Sequence, residues 1–373
     1  MRILIAGAGL SGLTLAAALR RKDPAADIEI YERDLSWAER PQGYSIGLRG
    51  DGGIRVLREL GVFDALAAGA VPVRDFLFVD QRGRQLMALR ARPGVENADT
   101  TLRVRRDALR AALRSAAPDV PIRYGAAAAG FRHYGDRVVL WLADGEEAVG
   151  DWLVSADGVG SAARAEWIGD ALHMFGLRAI AGDTSTPVAH PLLDGGCFMT
   201  LGDDGTSVFA HRERSGVHLS LTIHGGSDWP IAHPAAVLLE RTRGWHDPIP
   251  AIVAGIDPAG VVVRDYADRD PLTHVRDGRV WLIGDAAHPM VPFQGQGANT
   301  GMRDAMDLAA FLSGEHDDPE GAIVARGRKA VLSSRRSAEQ FHTTSGLSRR
   351  MRNAGFRSAD AFMALGRKFS SKS

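Results

Sequence analysis

The sequence predicts an α/β protein: a domain with a parallel sheet, an interleaved domain built on a mostly antiparallel β-sheet, and C-terminal helices. Short, largely apolar segments at residues 3–6, 153–156 and 280–283 are typical of buried parallel strands. Between them, residues 175–265 read as strands separated by Gly/Asp turns. Because the two patterns alternate along the chain, we expect the second domain to be inserted in pieces into the first.

The length of 373 residues suits two domains. We expect the first domain to comprise residues 1–70, 101–174 and 271–320. We expect the second domain to comprise residues 71–100 and 175–270, followed by a C-terminal helical segment over residues 321–373.

The composition is that of an ordinary globular enzyme, with a formal net charge of zero. A neutral molecule has no overall field to attract nucleic acid, so no nucleic-acid partner is expected. No apolar stretch reaches the roughly 20 residues that span a bilayer. A single cysteine, Cys197, excludes an internal disulfide, and a cytoplasmic protein is expected. The histidine spacing suggests no metal site, and the oligomeric state stays open, a monomer included.

The first thirty residues predict a βαβ unit that binds a dinucleotide. A short strand leads into Gly7-Ala8-Gly9-Leu10-Ser11-Gly12, followed by a helix-forming segment. In this pattern Gly7 permits the tight turn, Gly9 lets the backbone approach a pyrophosphate, and Gly12 brings the helix close to the sheet. Glu32 ends the second strand, where a carboxylate binds a ribose hydroxyl and repels a 2′-phosphate. FAD or NAD is therefore favoured over NADP, and Leu10, Ser11 and Arg33 belong to the expected site.

Two later segments narrow the choice of dinucleotide. Asp157-Gly158 follows one buried strand, and Gly284-Asp285 follows another. The second of these continues through Pro292 to Gly295-Gln296-Gly297-Ala298-Asn299, with a helix expected from about Thr300. Taken alone, Asp-Gly is a common turn and a glycine-rich stretch is a flexible loop. Their joint occurrence, in this order after a GxGxxG motif, is a much more specific signal for a flavin site than either segment alone.

With these three motifs the sequence resembles the para-hydroxybenzoate hydroxylase-like (group A) FAD-dependent aromatic/polyketide monooxygenases, which include tetracycline-inactivating relatives. The resemblance covers roughly residues 1–320 and implies a Rossmann-type (GR2-like) FAD-binding domain. It implies that Asp285 binds a ribityl hydroxyl of FAD, with Gly284 leaving room for the chain. It also implies that Asp157 contacts FAD and the nicotinamide cofactor.

The resemblance further implies roles near the flavin ring and the pyrophosphate. Main-chain N–H groups of Gly295, Gly297, Ala298 and Asn299 are expected at the flavin pyrimidine edge, and Pro292 at the face where oxygen reacts. Arg106, which begins an Arg-x-x-Leu-x-x-x-Leu pattern, is expected to neutralise the pyrophosphate. Arg103 and Arg105 compete for that role, and surface solubility is the alternative for all three.

The implied activity is that of a single-component monooxygenase. NADH or NADPH, binding transiently, reduces FAD, and O₂ then hydroxylates a small aromatic, polyketide-like or other apolar organic substrate through a flavin C4a-hydroperoxide. The substrate is expected between the flavin and the sheet of residues 175–270, with Phe198, Met199, Phe209 and His224 as candidate wall residues or as ordinary sheet core. The alternatives are a non-oxygenating flavin oxidoreductase (a reductase or dehydrogenase) and a flavin-binding protein without turnover.

The C-terminal segment of residues 326–373 is strongly basic, with twelve Lys or Arg against two acidic residues. One interpretation is a solvated helical face that packs on acidic surface. The other is a contact with a membrane or a partner.

Overall fold

The computed structural model describes residues 1–39, 44–91, 101–225 and 231–370, and only the backbone of 366–370. The chain forms two compact units. Unit 1 comprises Met1–Ala70, Val104–His173 and Ala267–Arg335, and unit 2 comprises Val71–Arg103, Met174–Tyr266 and Arg336–Ser373. The boundary between these ranges at Arg335 and Arg336 falls within the helix Glu320–Phe341, and a separate C-terminal segment over residues 321–373 stays a prediction. Which unit serves cofactor and which serves substrate stays a prediction.

The strands, in chain order, are β1 Arg2–Ala6, β2 Asp27–Glu32, β3 Ser45–Arg49, β4 Val71–Val73, β5 Asp75–Asp80, β6 Gln85–Arg90, β7 Thr101–Arg105, β8 Ile122–Tyr124, β9 Ala128–Tyr134, β10 Arg137–Leu142, β11 Glu147–Gly150, β12 Trp152–Ser155, β13 His173–Asp183, β14 Gly196–Leu201, β15 Ser207–Arg212, β16 Val217–His224, β17 Val262–Asp268, β18 Arg276–Asp277 and β19 Val280–Leu282.

The helices are α1 Leu10–Lys22, α2 Arg55–Glu59, α3 Phe63–Ala67, α4 Arg106–Ser115, α5 Ala162–Trp167, α6 Pro191–Asp194, α7 Pro234–Arg241, α8 Ile249–Ala254, α9 Gly297–Leu312, α10 Glu320–Phe341 and α11 Gly346–Ser370. Short single turns of other helix types lie at Gly50–Ile54, Pro258–Gly260, Gly284–Ala286 and Pro292–Gln294.

The main sheet of unit 1 has the strand order β18-β19-β12-β1-β2-β8. Five of these strands run parallel, and only β18 is antiparallel to its neighbour. The central strand β1 is buried because Ile3, Leu4 and Ile5 are fully inaccessible, as the apolar pattern predicted. A smaller antiparallel sheet, β9-β10-β11, contains a hairpin of β10 and β11 that turns at Asp144-Gly145.

The sheet of unit 2 has the order β17-β13-β16-β15-β14-β5-β6 and is mostly antiparallel, with β14 parallel to β5. Side chains alternate between its two faces, as the period of two requires. One face forms the core of unit 2, where Phe198, Leu219 and Leu221 pack with apolar residues of α7, α8 and the segment between them. The opposite face carries Met199 and Phe209, which are paired across β14 and β15.

Candidate functional site

The predicted motifs meet at one edge of the parallel sheet. Strands β1, β2, β12 and β19 run in the same direction, so their carboxyl ends lie side by side. The Gly7 loop follows β1, Glu32 ends β2, Asp157 follows β12, and Asp285 follows β19. This edge is where open α/β sheets bind their ligands.

Glycines allow the three loops to touch. Gly7 has φ +101°, and a Cβ there would lie 2.5 Å from the Ala156 carbonyl oxygen at the end of β12. A Cβ on Gly12 would overlap the carbonyl oxygen of Gly7, so only glycine lets α1 start this close to the loop. A Cβ on Gly284 would overlap the hydroxyl oxygen of Ser11. The first motif therefore contacts both later ones.

Glu32 is positioned by the backbone of the glycine loop. Its Oε2 accepts a hydrogen bond from the Ala8 N–H at 2.7 Å, and its Oε1 accepts one from the Asp34 N–H at 3.0 Å. Each carboxylate oxygen keeps capacity for a further donor, such as a ribose hydroxyl. Arg33, the next residue, is exposed.

Arg110 is a charged residue of this site that sequence reasoning missed. Its guanidinium lies 4.2 Å from the centre of the Trp37 ring, and its Nη2 is 3.5 Å from the Ala8 carbonyl oxygen. Burial lowers the pKa of Arg110, and the negative charge of Glu32 opposes that shift. The signal was present in the sequence, because Arg106 and Arg110 are four residues apart and thus share a helix face.

The three arginines proposed for the pyrophosphate lie in different surroundings. Arg105 forms an exposed ion pair with Asp107, at 2.6 Å. Arg103 belongs to unit 2, where its guanidinium lies 5.7 Å from the Phe209 ring centre. Arg106 lies close enough to Asp285 for its positive charge to oppose the rise in the pKa of that carboxyl, and the Arg106 Nε is buried without a hydrogen-bond partner within the described chain. Arg106 thus remains the candidate of the three.

Asp285 is exposed to solvent yet surrounded by protein. Desolvation by that protein raises the pKa of Asp285, and the nearby Arg106 and His288 side chains oppose the shift. A side chain that is both accessible and crowded by protein lies in a cleft. It can accept hydrogen bonds from a hydroxylated ligand that enters there.

Helix α9 begins at Gly297, earlier than the sequence predicted, and places its first N–H groups beside the Gly295 turn. These groups have no partner within the helix, and the helix dipole favours negative charge there.

The side chain of Asn299 is hydrogen-bonded to the protein backbone through both its oxygen and its nitrogen. Its Oδ1 accepts from the N–H groups of Arg49 and Gly53, and its Nδ2 donates to the carbonyls of Gly47 and Gly295. Any flavin contact of Asn299 is therefore through its own N–H.

Both carboxylate oxygens of Asp157 also accept hydrogen bonds from the protein. Its Oδ1 accepts from the Ser155 hydroxyl at 2.5 Å, and its Oδ2 accepts from the Ala162 N–H at 2.9 Å. These bonds fix the turn between β12 and α5. A direct role of Asp157 toward FAD or the nicotinamide stays a prediction.

A buried network of charged and polar side chains, centred on Asp304, holds the Gly284 loop in place. Asp304 of α9, which is inaccessible to solvent, contacts His288 Nε2 at 2.6 Å and Arg326 Nε at 2.9 Å. It also accepts a hydrogen bond from the Gly284 N–H at 3.2 Å. Gly327 of α10 leaves space for the His288 ring, which a Cβ there would overlap. The network ties α9 and α10 to the loop that carries Asp285.

These residues fit FAD. A Cβ on Gly9 would have only the Ala156 carbonyl oxygen nearby, at 3.9 Å, so the backbone is open where a pyrophosphate approaches. Gly295, with φ +59°, likewise has open space around it. Two helix N-termini and the arginines supply positive potential for the phosphates and for a reduced flavin, and Glu32 and Asp285 supply acceptors for its hydroxyls.

The structure corrects one candidate for the substrate wall. Phe198 is fully buried in the helix-covered core of unit 2, because the sheet period points it away from Met199 and Phe209. Met199, Phe209 and His224 share the opposite face. His224 is exposed, and its Nε2 is 2.8 Å from the His342 carbonyl oxygen.

Comparisons with known proteins agree with this site. The FAD binding domain family matches residues 265–318. The chain is 32% identical over 334 residues to an aurachin C monooxygenase/isomerase of Stigmatella aurantiaca, covering 86% of this chain and 82% of that one. It is 30% identical over 365 residues to a 3-amino-4-hydroxybenzoate 2-monooxygenase of Streptomyces cremeus, covering 93% and 89%. Its fold is similar to that of Klebsiella pneumoniae HpxO complexed with FAD and uric acid, with a TM-score of 0.83, 23% identity, and coverage of 96% and 93%.

The fold and site together define a flavoprotein oxidoreductase that binds FAD through a Rossmann-type domain. The chain belongs to the family of FAD-dependent monooxygenases. It is an enzyme that uses NADH or NADPH and O₂, and the family predicted from its three motifs is confirmed. Within the described chain, no helix is long and apolar enough to cross a membrane.

Proposed function

We propose that this monooxygenase hydroxylates a small aromatic, polyketide-like or other apolar organic molecule. The observation that carries the proposal is the meeting of the Gly7–Gly12 loop, Glu32 and Asp285 at one strand edge. The names of two similar proteins, which refer to aurachin C and to an aminohydroxybenzoate, support an organic ring compound as substrate.

We propose the following roles for the residues that bind FAD. The α1 N-terminus and Gly9 receive the pyrophosphate, with Leu10 and Ser11 beside it, and Arg106 and Arg110 neutralise its charge. Glu32 accepts from ribose hydroxyls, with Arg33 next to it, and Asp285 accepts from the ribityl chain. When bound, FAD supplies the transfer of electrons from NAD(P)H to O₂.

The loop before α9 is proposed to act on the reacting end. The N–H groups of Gly297, Ala298 and Asn299 stabilise negative charge at the pyrimidine edge, because they are oriented before charge develops. Gly295 permits the left-handed turn that aims them. Pro292 has no N–H to offer and lines the adjacent face. Met199, Phe209 and His224 are proposed to line the substrate.

A panel of aromatic and polyketide compounds, supplied with isotopically labelled O₂, tests the proposal. The expected result is substrate-dependent oxidation of NAD(P)H and a product that gains one labelled oxygen atom. A product that changes only by hydrogen would indicate a non-oxygenating oxidoreductase. FAD retention without any turnover across the panel would indicate a flavin-binding protein instead.

We also propose a cytoplasmic location, because NADH and NADPH are supplied there and the single cysteine needs no oxidising compartment. Cell fractionation with an antibody against the chain tests it, and recovery in an exported fraction would contradict it.

A further inference from the structure

Within the described side chains, the C-terminal helix α11 contacts the sheet of unit 2 along one side. Asp360 accepts hydrogen bonds from the Ala88 N–H at 3.0 Å and from the Gln85 side-chain amide at 2.9 Å. The Phe356 ring lies 5.3 Å from the Phe78 ring, centre to centre. These contacts determine which side of α11 faces outward.

The outward side carries an apolar stripe formed by Leu347, Met351, Phe362 and Leu365. Their exposed fractions are 69%, 66%, 78% and 55%. At about 100° per residue, their spacing places all four within a sector of about 60°. Among the described residues, thirteen large apolar side chains are exposed, and four of them lie on this one helix side. Single exposed apolar residues are ordinary, but an aligned set marks a contact surface.

Positive charge borders the apolar stripe. Arg350 and Arg357 are exposed and lie along one edge of it, and Arg357 is 3.9 Å from Asp80 while remaining 54% exposed. Asp360 is the one acidic residue in the sequence of α11, and it faces the sheet. The outward side of the helix thus combines apolar and cationic groups without a carboxylate of its own, which is the pattern of helices that lie in a membrane interface.

Not all of the basic C-terminal segment contributes to this surface. Arg326 pairs with Asp304 and Asp307, and Arg335 pairs with Asp268 within unit 1. For these arginines, packing on acidic surface is the correct interpretation. Arg350 and Arg357 are the described arginines that border the stripe.

We propose that α11 docks the enzyme on an anionic lipid surface, with the apolar stripe in the acyl boundary and Arg350 and Arg357 at the headgroups. Charge complementarity favours lipid over a second copy of the chain. A second copy would present the same arginine-bordered stripe, with no carboxylate of α11 to pair with Arg350 and Arg357. Docking would also place the enzyme where apolar substrates concentrate.

Vesicle co-sedimentation of the full-length, FAD-loaded protein tests the proposal. We expect binding to vesicles of phosphatidylcholine with phosphatidylglycerol, little binding to phosphatidylcholine alone, and release at high salt, because exposed charges are screened. The double variant Met351→Ser/Phe362→Ser should bind at least about tenfold more weakly, because it removes two buried apolar side chains. The double variant Arg350→Glu/Arg357→Glu should lose the preference for anionic vesicles.

The control is Leu172→Ser, which removes an exposed leucine of unit 1 and should leave vesicle binding unchanged. FAD content and the thermal midpoint confirm that each variant is folded, and the arginine variant alters only exposed side chains. Three results would overturn the proposal: no vesicle binding, equal binding to neutral vesicles, or a wild-type dimer that Phe362→Ser converts to monomer in sedimentation velocity.

Discussion

At the scale of single residues, Gly9 and Gly12 belong to one motif but have different surroundings, because Gly9 precedes α1 and Gly12 lies in its first turn. A Cβ on Gly12 would overlap the Gly7 carbonyl, whereas one on Gly9 would meet only the Ala156 carbonyl oxygen, at 3.9 Å. We therefore expect Gly12→Ala to destabilise the FAD-free protein by about 1–3 kcal/mol, because α1 must move. Gly9→Ala should leave that stability within about 0.5 kcal/mol and weaken FAD binding at least about tenfold, because the methyl group fills the pyrophosphate approach.

Chemical unfolding of the FAD-free variants and fluorescence titration with FAD separate these two effects. Equal loss of stability in both variants would contradict the distinction. It would mean that Gly9 also has a packing role.

Asp304 carries a second residue-scale prediction. Burial opposes its ionisation, but His288 and Arg326 outweigh burial and hold the pKa of Asp304 below its ordinary value. Asp304→Asn should cost about 3 kcal/mol at neutral pH, because it leaves the Arg326 charge buried without its partner. Since the folded-state pKa is lowered, this stability is present above about pH 4 and is lost as pH falls further.

Asp307→Asn is the matched control, because Asp307 contacts the same arginine but its side chain is 41% exposed. Its cost should stay below about 1 kcal/mol. Urea unfolding of both variants at neutral pH checks the contrast, and similar costs would show that Arg326 does not depend on its buried partner.

At the scale of elements, the start of α4 presents arginines on two different sides. Arg106 and Arg110 face the glycine loop and the Asp285 cleft, whereas Arg105 is paired with Asp107 in solvent. We expect Arg106→Ala and Arg110→Ala each to weaken FAD binding about tenfold or more, because a charge-assisted contact contributes about 1.5–3 kcal/mol. Arg105→Ala should leave the FAD dissociation constant unchanged. Fluorescence titration measures the FAD dissociation constant of all three variants. An effect of Arg105→Ala as large as the others would indicate that FAD binding depends on the overall positive charge of this region, not on direct contacts.

The residue that follows α10, His342, joins that helix to the sheet of unit 2. Its Nε2 is 2.9 Å from the Ser207 hydroxyl, and its Nδ1 is 2.9 Å from the Ala338 carbonyl oxygen. Burial lowers the pKa of His342 to about 4. In the unfolded chain the pKa is about 6.5, so protonation favours unfolding as pH falls from about 6.5 to about 4.

The cost of this titration should reach about 2 kcal/mol at about pH 5. His342→Gln should reduce the difference in unfolding free energy between about pH 7.5 and pH 5 by that amount. His316→Gln alters an exposed imidazole and serves as the control. An unchanged pH dependence in His342→Gln would show that the buried ring does not control acid stability.

At the scale of the whole molecule, structural features that depend on local sequence patterns were predicted well. Features that depend on contacts between distant residues mostly were not. Buried strands, the glycine loop and Glu32 follow from period, spacing and turn chemistry, which neighbouring residues decide. The face on which Phe198 lies depends on how the strands of unit 2 pair, and no single strand contains that information. The hydrogen bonds of the Asn299 side chain depend on a backbone segment about 250 residues away along the chain.

The same limit applies to Arg110 and to the C-terminal segment. Arg110 enters the site because Trp37 and Ala8 come from other elements. The unit boundary within residues 321–373 likewise reflects distant contacts, since Arg335 pairs with Asp268 in unit 1 and His342 contacts Ser207 in unit 2. Motif spacing predicted a dinucleotide site and the family resemblance specified FAD, whereas contacts between distant segments are visible only in the folded structure.

Removal of FAD should affect the two units unequally. The residues proposed to bind FAD lie in unit 1, so bound FAD should stabilise that unit by mass action, by about 2.7 kcal/mol at a free concentration of 100 times the dissociation constant. Hydrogen exchange of the FAD-loaded and FAD-free protein checks this. We expect loss of protection at residues 7–14 and 284–301 without FAD, and little change in the unit 2 core around Phe198 and Leu221. Equal loss of protection in that core would show that FAD binding and folding of unit 2 are coupled, whereas no change at residues 7–14 would place the cofactor elsewhere.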